Sequence, residues 1–336
     1  MPIKAAINGF GRMGRLTLRN VFDDPDIDVV AINSRGSAAF YAHLLKYDSS
    51  YGIWDKEVTA PTEKEIVING KSIPLLNEKE DPAILPWDTL EVDVVIESTG
   101  VFKNRKDSTK HIEAGAKRVV VTTSIKDDDI TLVAGVNLDD YNPKKHKIIA
   151  AASCTSNCLA LTIKPIHEQL KIKHGFLTTV HAFTNEQHLV DAPHHKEDFR
   201  RARAATESII PTSTGASETV DKIIPALKGK LNGMAMRVPI VLPSVVSLVL
   251  EFEKKITVKE INSILQKAAE GEMKESLGFS DKPLVSVDYR GDTRGAIIDG
   301  LSTEVVDDKM ANIVSWYDNE WGYINQLVKV IKHIGK

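Results

Sequence analysis

The apolar run Ala5-Ala6-Ile7-Asn8 leads straight into Gly9-Phe10-Gly11-Arg12-Met13-Gly14, and Arg15 to Phe22 then carries helical spacing. A G-x-G-x-x-G run has meaning only between a strand and a helix, and this one stands there. Gly9 permits the tight turn, Gly11 leaves the backbone open to a pyrophosphate, and Gly14 lets the helix approach the strand. A glycine turn alone is a weak signal. Its position at the head of a βαβ unit points to dinucleotide binding and to a Rossmann-type, doubly wound, mostly parallel sheet.

The following segments keep that pattern. Asp28 to Asn33 reads as the second strand, whose end faces the adenosine ribose in such folds. Here it runs out as Asn33-Ser34-Arg35-Gly36-Ser37, without the carboxylate that accepts a bond from a ribose 2′-hydroxyl. Ser34 does not repel a 2′-phosphate and Arg35 is able to pair with one, so the expected cofactor is NADP, or either NADP or NAD. Val92 to Glu97 is a further strand, followed by Ser98-Thr99-Gly100 and a helix that closes at Gly115. Arg118 to Thr122 and Leu132 to Val136 read as strands, and Tyr51 to Pro86 as hairpins near the sheet edge. A chain of 336 residues exceeds one ordinary core. The expected division is a dinucleotide-binding domain over 1–152, completed by a C-terminal helix over 319–336, and a catalytic domain over 153–318. The latter is expected to be α+β with a mixed or antiparallel sheet.

At the junction, Ile148-Ile149-Ala150-Ala151 reads as a buried strand, Ser153 as an N-cap, and Thr155 to Gln169 as a helix. Cys154 then lies in the first helical turn, where unpaired amides and the helix dipole favour thiolate over thiol. A thiolate there suits covalent catalysis. A lone cysteine at such a junction more often simply packs, and Cys158, one turn on, is read that way. The strand-like run Phe176 to Phe183 ends near His181, a residue type suited to general base work. If the two meet, a thiolate–imidazolium pair is expected. Only these two cysteines occur, the net charge is −3, no secretory signal precedes the first strand and no apolar run is long enough to cross a bilayer. Cytoplasmic location is expected, with no membrane partner, no main role in binding nucleic acid and no metal.

The second half also suggests anion sites. Thr184 to Thr206 has little periodicity and carries His188, His194, His195, Lys196, Arg200, Arg201 and Arg203, diluted by Glu186, Asp191, Glu197 and Asp198. Ile209 to Ala216 brings hydroxyls and a glycine to a helix start, a setting for an anion. Arg237 lies in an otherwise apolar strand and needs a partner, either a phosphate or an internal salt bridge. Apolar strands such as Val245 to Phe252 suggest a second sheet with helices on one face. Asn319 precedes the last amphipathic helix as an N-cap, or as a ligand for an amide.

Taken together, these residues make the chain resemble the phosphorylating glyceraldehyde-3-phosphate dehydrogenase family, in order and over nearly its whole length. The matching segments include Ile7 to Arg12, Leu44 to Ser49, Ala152-Ser153-Cys154-Thr155, Thr178 to Ala182, Ile209 to Ala216, Leu231 to Pro239 and Trp316 to Tyr323. The resemblance implies that Cys154 attacks the aldehyde, that His181 takes the proton, and that hydride passes to a nicotinamide. It implies that inorganic phosphate then releases 1,3-bisphosphoglycerate. It assigns Ser153, Thr155, Thr214 and Gly215 to the attacking phosphate, and Thr184, Arg201 and Arg237 to the phosphate of glyceraldehyde 3-phosphate. Gly9, Phe10, Gly11, Arg12, Met13, Gly14, Ser34, Arg35, Ser98, Thr99, Thr122, Asn319 and Tyr323 fall to the cofactor, with Asn319 on its carboxamide. A homotetramer is implied, in which the loop Thr184 to Thr206 borders a neighbour's cofactor.

The chain departs from the family pattern at several places. Ser34 replaces the usual ribose aspartate, Glu80 a common arginine, Ala150-Ala151 a Ser-Asn pair and Glu186 an aspartate. Ile240 and Leu242 replace a threonine and an asparagine, and the loop near His194-His195 is one residue longer. Pro193 follows NAD-using members. The alternatives are an erythrose-4-phosphate dehydrogenase, which hydrolyses its acyl-enzyme, and a non-catalytic nucleotide- or RNA-binding protein on the same fold. The intact Ser213-Thr214-Gly215 speaks against the first, and the set Cys154, His181, Arg237 and Asn319 against the second.

Overall fold

Short apolar strands ending in polar residues build the first sheet. A computed structural model describes all 336 residues and divides into two compact units, 1–152 with 327–336, and 153–326. In the first unit nine strands lie in the order Ile130–Thr131, Ile148–Ala150, Arg118–Val121, Val94–Glu97, Ile3–Asn8, Ile27–Asn33, Lys71–Leu76, Glu65–Ile68 and Val58–Thr59. All neighbours up to Lys71–Leu76 pair in parallel. The hairpin strands from the segment after Tyr51 add antiparallel at the edge. This is the doubly wound order, and its switch point falls between Ile3–Asn8 and Val94–Glu97, where such sheets bind their ligand. Both faces are covered, and Ala6, Val95, Val119, Val121, Trp87 and Ile148 pack into one buried cluster.

The second unit holds a seven-stranded mixed sheet in the order Ile210–Ser213, Leu231–Val238, Ile172–Ala182, Ser244–Phe252, Met310–Tyr317, Ala296–Val306 and Leu277–Ser280. Ile172–Ala182 runs parallel to Leu231–Val238 and antiparallel to Ser244–Phe252. The helix Cys154–Leu170 is buried on nearly every side. Its hydroxyls meet the strand Met310–Tyr317: Thr155 Oγ1 lies 2.9 Å from Tyr317 Oη, and Thr162 Oγ1 lies 3.2 Å from Ser315 Oγ.

Two local expectations change. Leu132 to Val136 is not a strand, because pairing ends at Thr131. Asn137 folds back, taking the Val133 amide at 2.9 Å and donating to Thr131 O at 2.9 Å, and Gly135 turns the chain at φ 82°. The last helix begins at Trp321, and its boundary between units falls at 327 instead of 319. Asp318 is the side chain that receives the first amides, from Glu320 at 2.9 Å and Trp321 at 2.8 Å. Asn319 instead accepts from Ser244 Oγ at 2.9 Å, and Gln326 donates to Thr293 O at 2.8 Å, which ties the start of this helix into the second unit.

The glycine turn is built by close contact. A Cβ on Gly14 would stand 2.2 Å from Gly9 O and 3.0 Å from Ile7 Cγ2. Gly14→Ala is expected to destabilise the protein by about 1–3 kcal/mol, the usual cost of overpacking, read as a lowered urea midpoint without cofactor. An unchanged midpoint would show that the turn relaxes freely.

Candidate active site

In the second unit the strand register sets the chemistry. His181 and Arg237 are direct partners in the parallel pair. Arg237 Nη1 lies 2.8 Å from His181 Nδ1 and donates to Ala182 O at 3.0 Å. On the other side of the ring, His181 Nε2 lies 3.4 Å from Cys154 Sγ. The cysteine reaches that point because Ser153 caps its helix, accepting the Ser156 amide at 3.1 Å, and because Ala152 turns the chain in the left-handed region at φ 55°. Nucleophile and base are thus within contact of each other, and the base has a third group behind it.

The electrostatics differ from those expected of an isolated helix start. Burial and the neighbouring Arg237 hold His181 down at about 3 from its ordinary 6.5. Desolvation pushes the Cys154 thiol up, against the opposing pull of Arg237 and Thr155. Arg237 thus disfavours a proton on both groups, and the 3.4 Å approach places sulfur and ring nitrogen within reach of proton transfer. The half-buried Arg237 guanidinium, 2.8 Å from the ring, disfavours a second positive charge there. Cys158 is fully buried, bonded to Ser315 Oγ at 3.3 Å, and pushed up to about 12 by burial.

The anion residues are already engaged to different degrees. Arg201 pairs with Asp198 at 2.5 Å and approaches Glu186 at 3.5 Å. Thr184 is held by Gln187, whose Oε1 accepts the Thr184 amide at 2.9 Å. Thr155 spends its hydroxyl on Tyr317, and Ser153 spends its own on the helix cap. Thr214 accepts the Ala216 amide at 3.3 Å, and Gly215, at the N-cap position of the helix that follows, has no side chain to add a cap. Gln187, Ser244 and Tyr317 were not singled out from sequence. Gln187 lies three positions beyond Thr184 and Tyr317 two before Asn319, a weak signal, and Ser244 carries none.

In the first unit a cleft of about 220 Å³ opens at the sheet's switch point. Gly9, Phe10, Gly11, Ser34, Arg35, Ser98 and Thr99 line it, as does Glu80. A Cβ on Gly11 would meet no atom within 4 Å and would project into open space, so the backbone there is bare, as a pyrophosphate requires. The helix that starts at Arg12 has no side-chain cap, which leaves its positive end to an anion. These features fit a dinucleotide. Ser34 Oγ accepts the Phe10 amide at 3.2 Å and lies 2.5 Å from Tyr41 Oη, while Arg35 donates to Lys79 O at 2.9 Å.

The remaining residues assigned to the cofactor do not line this cleft. Arg12 pairs with Asp48 at 2.5 Å, Met13 accepts the Thr17 hydroxyl, Gly14 serves packing, and Thr122 donates to Glu97 O at 3.1 Å. Asn319 and Tyr323 belong to the second unit, where Tyr323 is buried. Below the cleft lies a network that the motif does not reveal. Asn8 Nδ2 donates to Glu97 Oε2 at 2.5 Å, Asn33 Nδ2 to Asn8 Oδ1 at 2.7 Å, and Trp87 Nε1 to His111 Nδ1 at 3.0 Å. Glu97 also takes the Thr99 amide at 2.8 Å and so fixes a cleft loop.

Comparison with known proteins agrees with this geometry. Residues 3–105 match the model of the glyceraldehyde 3-phosphate dehydrogenase NAD binding domain, and residues 153–319 that of the C-terminal domain of the same enzymes. The chain is 53% identical over 334 residues to the glyceraldehyde-3-phosphate dehydrogenase of Geobacillus stearothermophilus, covering 99% of this chain and 98% of that one. It is 48% identical over 336 residues to glyceraldehyde-3-phosphate dehydrogenase 1 of Bacillus subtilis, at 100% and 99% coverage. Identity to the Streptomyces coelicolor enzyme is 46% over 337 residues, again at 100% and 99%.

The buried neutral histidine has a measurable consequence. Between its ordinary 6.5 and about 3, the unfolded chain binds a proton at His181 that the folded chain does not. Its stabilising contribution is therefore complete above pH 6.5 and is lost as pH falls toward 3. Between pH 4 and 6, unfolding free energy of the native sequence is expected to fall more steeply than that of His181→Asn. The excess is one proton's worth, about 1.4 kcal/mol per pH unit. Equal slopes in denaturant titrations would mean that the imidazole protonates in the folded state.

Proposed function

The chain belongs to the glyceraldehyde-3-phosphate dehydrogenase family, and from that membership we propose that it oxidises and phosphorylates glyceraldehyde 3-phosphate, reversibly, through covalent catalysis at Cys154. The observation that carries the residue roles is the 3.4 Å approach of Cys154 Sγ to His181 Nε2, with Arg237 behind the ring. The names of the relatives favour this activity over an erythrose-4-phosphate dehydrogenase or a non-catalytic binding protein.

Cys154 Sγ bonds to the aldehyde carbon, and its proton passes to His181 Nε2, giving a thiohemiacetal. The Cys154 amide and His181 hold the oxygen as charge develops on it. NAD(P), when bound, supplies the two-electron oxidation by accepting a hydride. Cys154 is then left as an acyl thioester. An oxygen of inorganic phosphate attacks the acyl carbon, the C–S bond breaks, and the acyl phosphate leaves as Cys154 regains its proton. Arg237, Arg201 and Thr184 bind the substrate phosphate. The polar helix starts at Ser153-Cys154-Thr155 and Thr214-Gly215 receive the attacking phosphate, chiefly through backbone amides, because the Ser153 and Thr155 hydroxyls are engaged.

Gly9, Gly11, Ser98 and Thr99 hold the dinucleotide, and Asn319 holds its carboxamide. NADP is the preferred form, supported by the Arg35 guanidinium, which lines the cleft and is bonded only to a carbonyl. The chain assembles as a homotetramer, for which Leu189, Val190, Phe199 and Ile209 offer exposed apolar surface. Two free thiols suit a reducing cytoplasm. The reversible reaction serves glycolysis and gluconeogenesis alike.

Steady-state kinetics with each cofactor, with and without phosphate, test the reading. Sustained reduction of the cofactor is expected only with phosphate or arsenate present, and a full rate in their absence would reject phosphorolysis. His181→Asn is expected to lower kcat by roughly 10²–10⁴-fold, the range for a general base, and Cys154→Ser to abolish turnover. Arg35→Ala is expected to raise KM for NADP while leaving NAD unchanged. An equal effect on both would remove Arg35 from the 2′-phosphate.

A further inference from the structure

The hydrogen-bond chain below the dinucleotide cleft ends at both sides on groups of fixed polarity, and these orient everything between them. At one end the Glu78 backbone pairs twice with Asn33. Its amide donates to Asn33 Oδ1 at 2.9 Å, and its carbonyl accepts from Asn33 Nδ2 at 3.1 Å. A backbone amide only donates and a carbonyl only accepts, so the Asn33 carboxamide is locked. The same Nδ2 donates to Asn8 Oδ1 at 2.7 Å, which turns Asn8 Nδ2 toward Glu97 Oε2 at 2.5 Å. At the other end the Trp87 indole, which can only donate, gives its proton to His111 Nδ1 at 3.0 Å. Nδ1 is therefore bare. The ring proton is on Nε2, 3.2 Å from Glu97 Oε2.

Glu97 receives both halves of this chain and the cleft loop as well. Its Oε1 accepts the Thr99 amide at 2.8 Å and the Thr99 hydroxyl, whose own oxygen takes the Val101 amide at 3.1 Å. Both oxygens of Glu97 thus face donors alone, and no direction is left for an acid proton. Asn8, Glu97 and His111 are at most 1% exposed, and no lysine or arginine pairs with the carboxylate. A charge so placed is tolerable only while its donors stay in position.

We propose that Glu97 is a positioning residue for the dinucleotide. Asn8, Asn33, Glu78 and Thr99, which it joins, all line the cleft, whereas Glu97 itself does not. Its carboxylate sets the Thr99 loop against the glycine turn that follows Asn8 and, through Asn33, against the wall at Glu78. A glutamine of the same size fails at this. Its NH2 meets either Asn8 Nδ2 and the His111 Nε2 proton, or the Thr99 amide, and Trp87 keeps His111 from turning its proton away. The inference rests on the reading of the cleft as the dinucleotide site. It adds that the affinity of that site is set by a buried anion that never touches the ligand.

Titration calorimetry of the full chain with ADP-ribose, the part of NAD without its nicotinamide, gives Kd for the folded molecules and, as the number of sites, the fraction that is folded. Glu97→Gln is expected to weaken binding by about tenfold or more, the scale of one hydrogen bond to a charged group. Combining it with Asn8→Asp exchanges the polarity of the pair. An oxygen then stands in place of Asn8 Nδ2, 3.3 Å from His111 Nε2, and accepts from the ring and from the new amide, while the other oxygen keeps the bond from Asn33. The double variant is expected to regain most of the lost affinity. Thr99→Val probes the same carboxylate from the half-buried cleft loop. It is expected to lose affinity where Thr99→Ser keeps it, and this pair decides the matter alone where Glu97→Gln does not fold. A native Kd in Glu97→Gln or Thr99→Val, a double variant no better than Glu97→Gln, or fewer sites at an unchanged Kd would each overturn the positioning role and leave the cofactor reading standing. A native chain that takes up neither ADP-ribose nor NAD would bring down both.

Discussion

A half-buried cation held against an imidazole organises the catalytic unit. Arg237 reaches His181 because the two residues are register partners in adjacent parallel strands, and side chains at paired positions share a face. Desolvation lowers the pKa of the guanidinium, yet arginine stays charged in proteins. Its field then acts on both neighbours in the same sense. It disfavours a proton on His181 and favours loss of one from Cys154. Lysine at this position would not be equivalent. Arg237 Nη1 makes both contacts, to Nδ1 and to the Ala182 carbonyl, from within a rigid plane that also fixes Nε and Nη2, and a rotating ammonium has no such fixed directions.

Register matters here because side chains alternate along a strand. A slip of one residue would carry His181 to the opposite face of the sheet and leave the nucleophile without a base. The structure protects that register from both sides. Leu231–Val238 fixes the strand in parallel and Ser244–Phe252 fixes it in antiparallel, while the Ala182 amide is held by Ser244 Oγ at 3.0 Å. Tyr317 reinforces the arrangement, because its hydroxyl lies 2.9 Å from both Thr179 Oγ1 and Thr155 Oγ1. One phenol thereby ties the strand that carries His181 to the helix that carries Cys154. The same contact explains why Thr155 contributes structure to the site and has no hydroxyl left over.

Most of the fold was legible in the sequence where local pattern and tertiary role coincide. The glycine turn, the parallel strands, the hairpins at the sheet edge and the Ser153 cap all carry their cause in adjacent residues. The failures share one physical origin, which is that a side chain from elsewhere decides the outcome. Leu132 to Val136 is as apolar as a strand, but Asn137 claims the backbone groups that a ladder would need. Asn319 has the chemistry of an N-cap, but Asp318 takes that work and Ser244 takes Asn319. Cys154 has the position of a thiolate, but no spacing rule reports that an arginine on another strand shares its histidine partner. The network below the cleft did leave a trace. Asn8, Asn33 and Glu97 each end an apolar strand, and three buried strands ending in polar groups on the same side of one sheet predict that those groups meet.

The ribose end of the cleft shows how a substitution acts through its neighbours. Read alone, Ser34 is a small polar residue where a carboxylate is usual, and its hydroxyl looks ready for a ligand. In the structure its oxygen already accepts the Phe10 amide and bonds to Tyr41, whose own hydroxyl accepts the Gly36 amide at 3.1 Å. If Tyr41 donates to Ser34, both lone pairs of the serine oxygen are filled and only its proton is left to offer. If Ser34 donates to Tyr41, the proton left over belongs to the phenol. In either case the pair retains one hydroxyl proton to give, which suits an acceptor such as a phosphate oxygen. The cleft also carries Glu80 beside Arg35, so the local charge is mixed. Arg35 and Lys79 bring positive charge to this end of the cleft, Glu80 brings negative charge, and the Ser34–Tyr41 pair adds one hydroxyl proton.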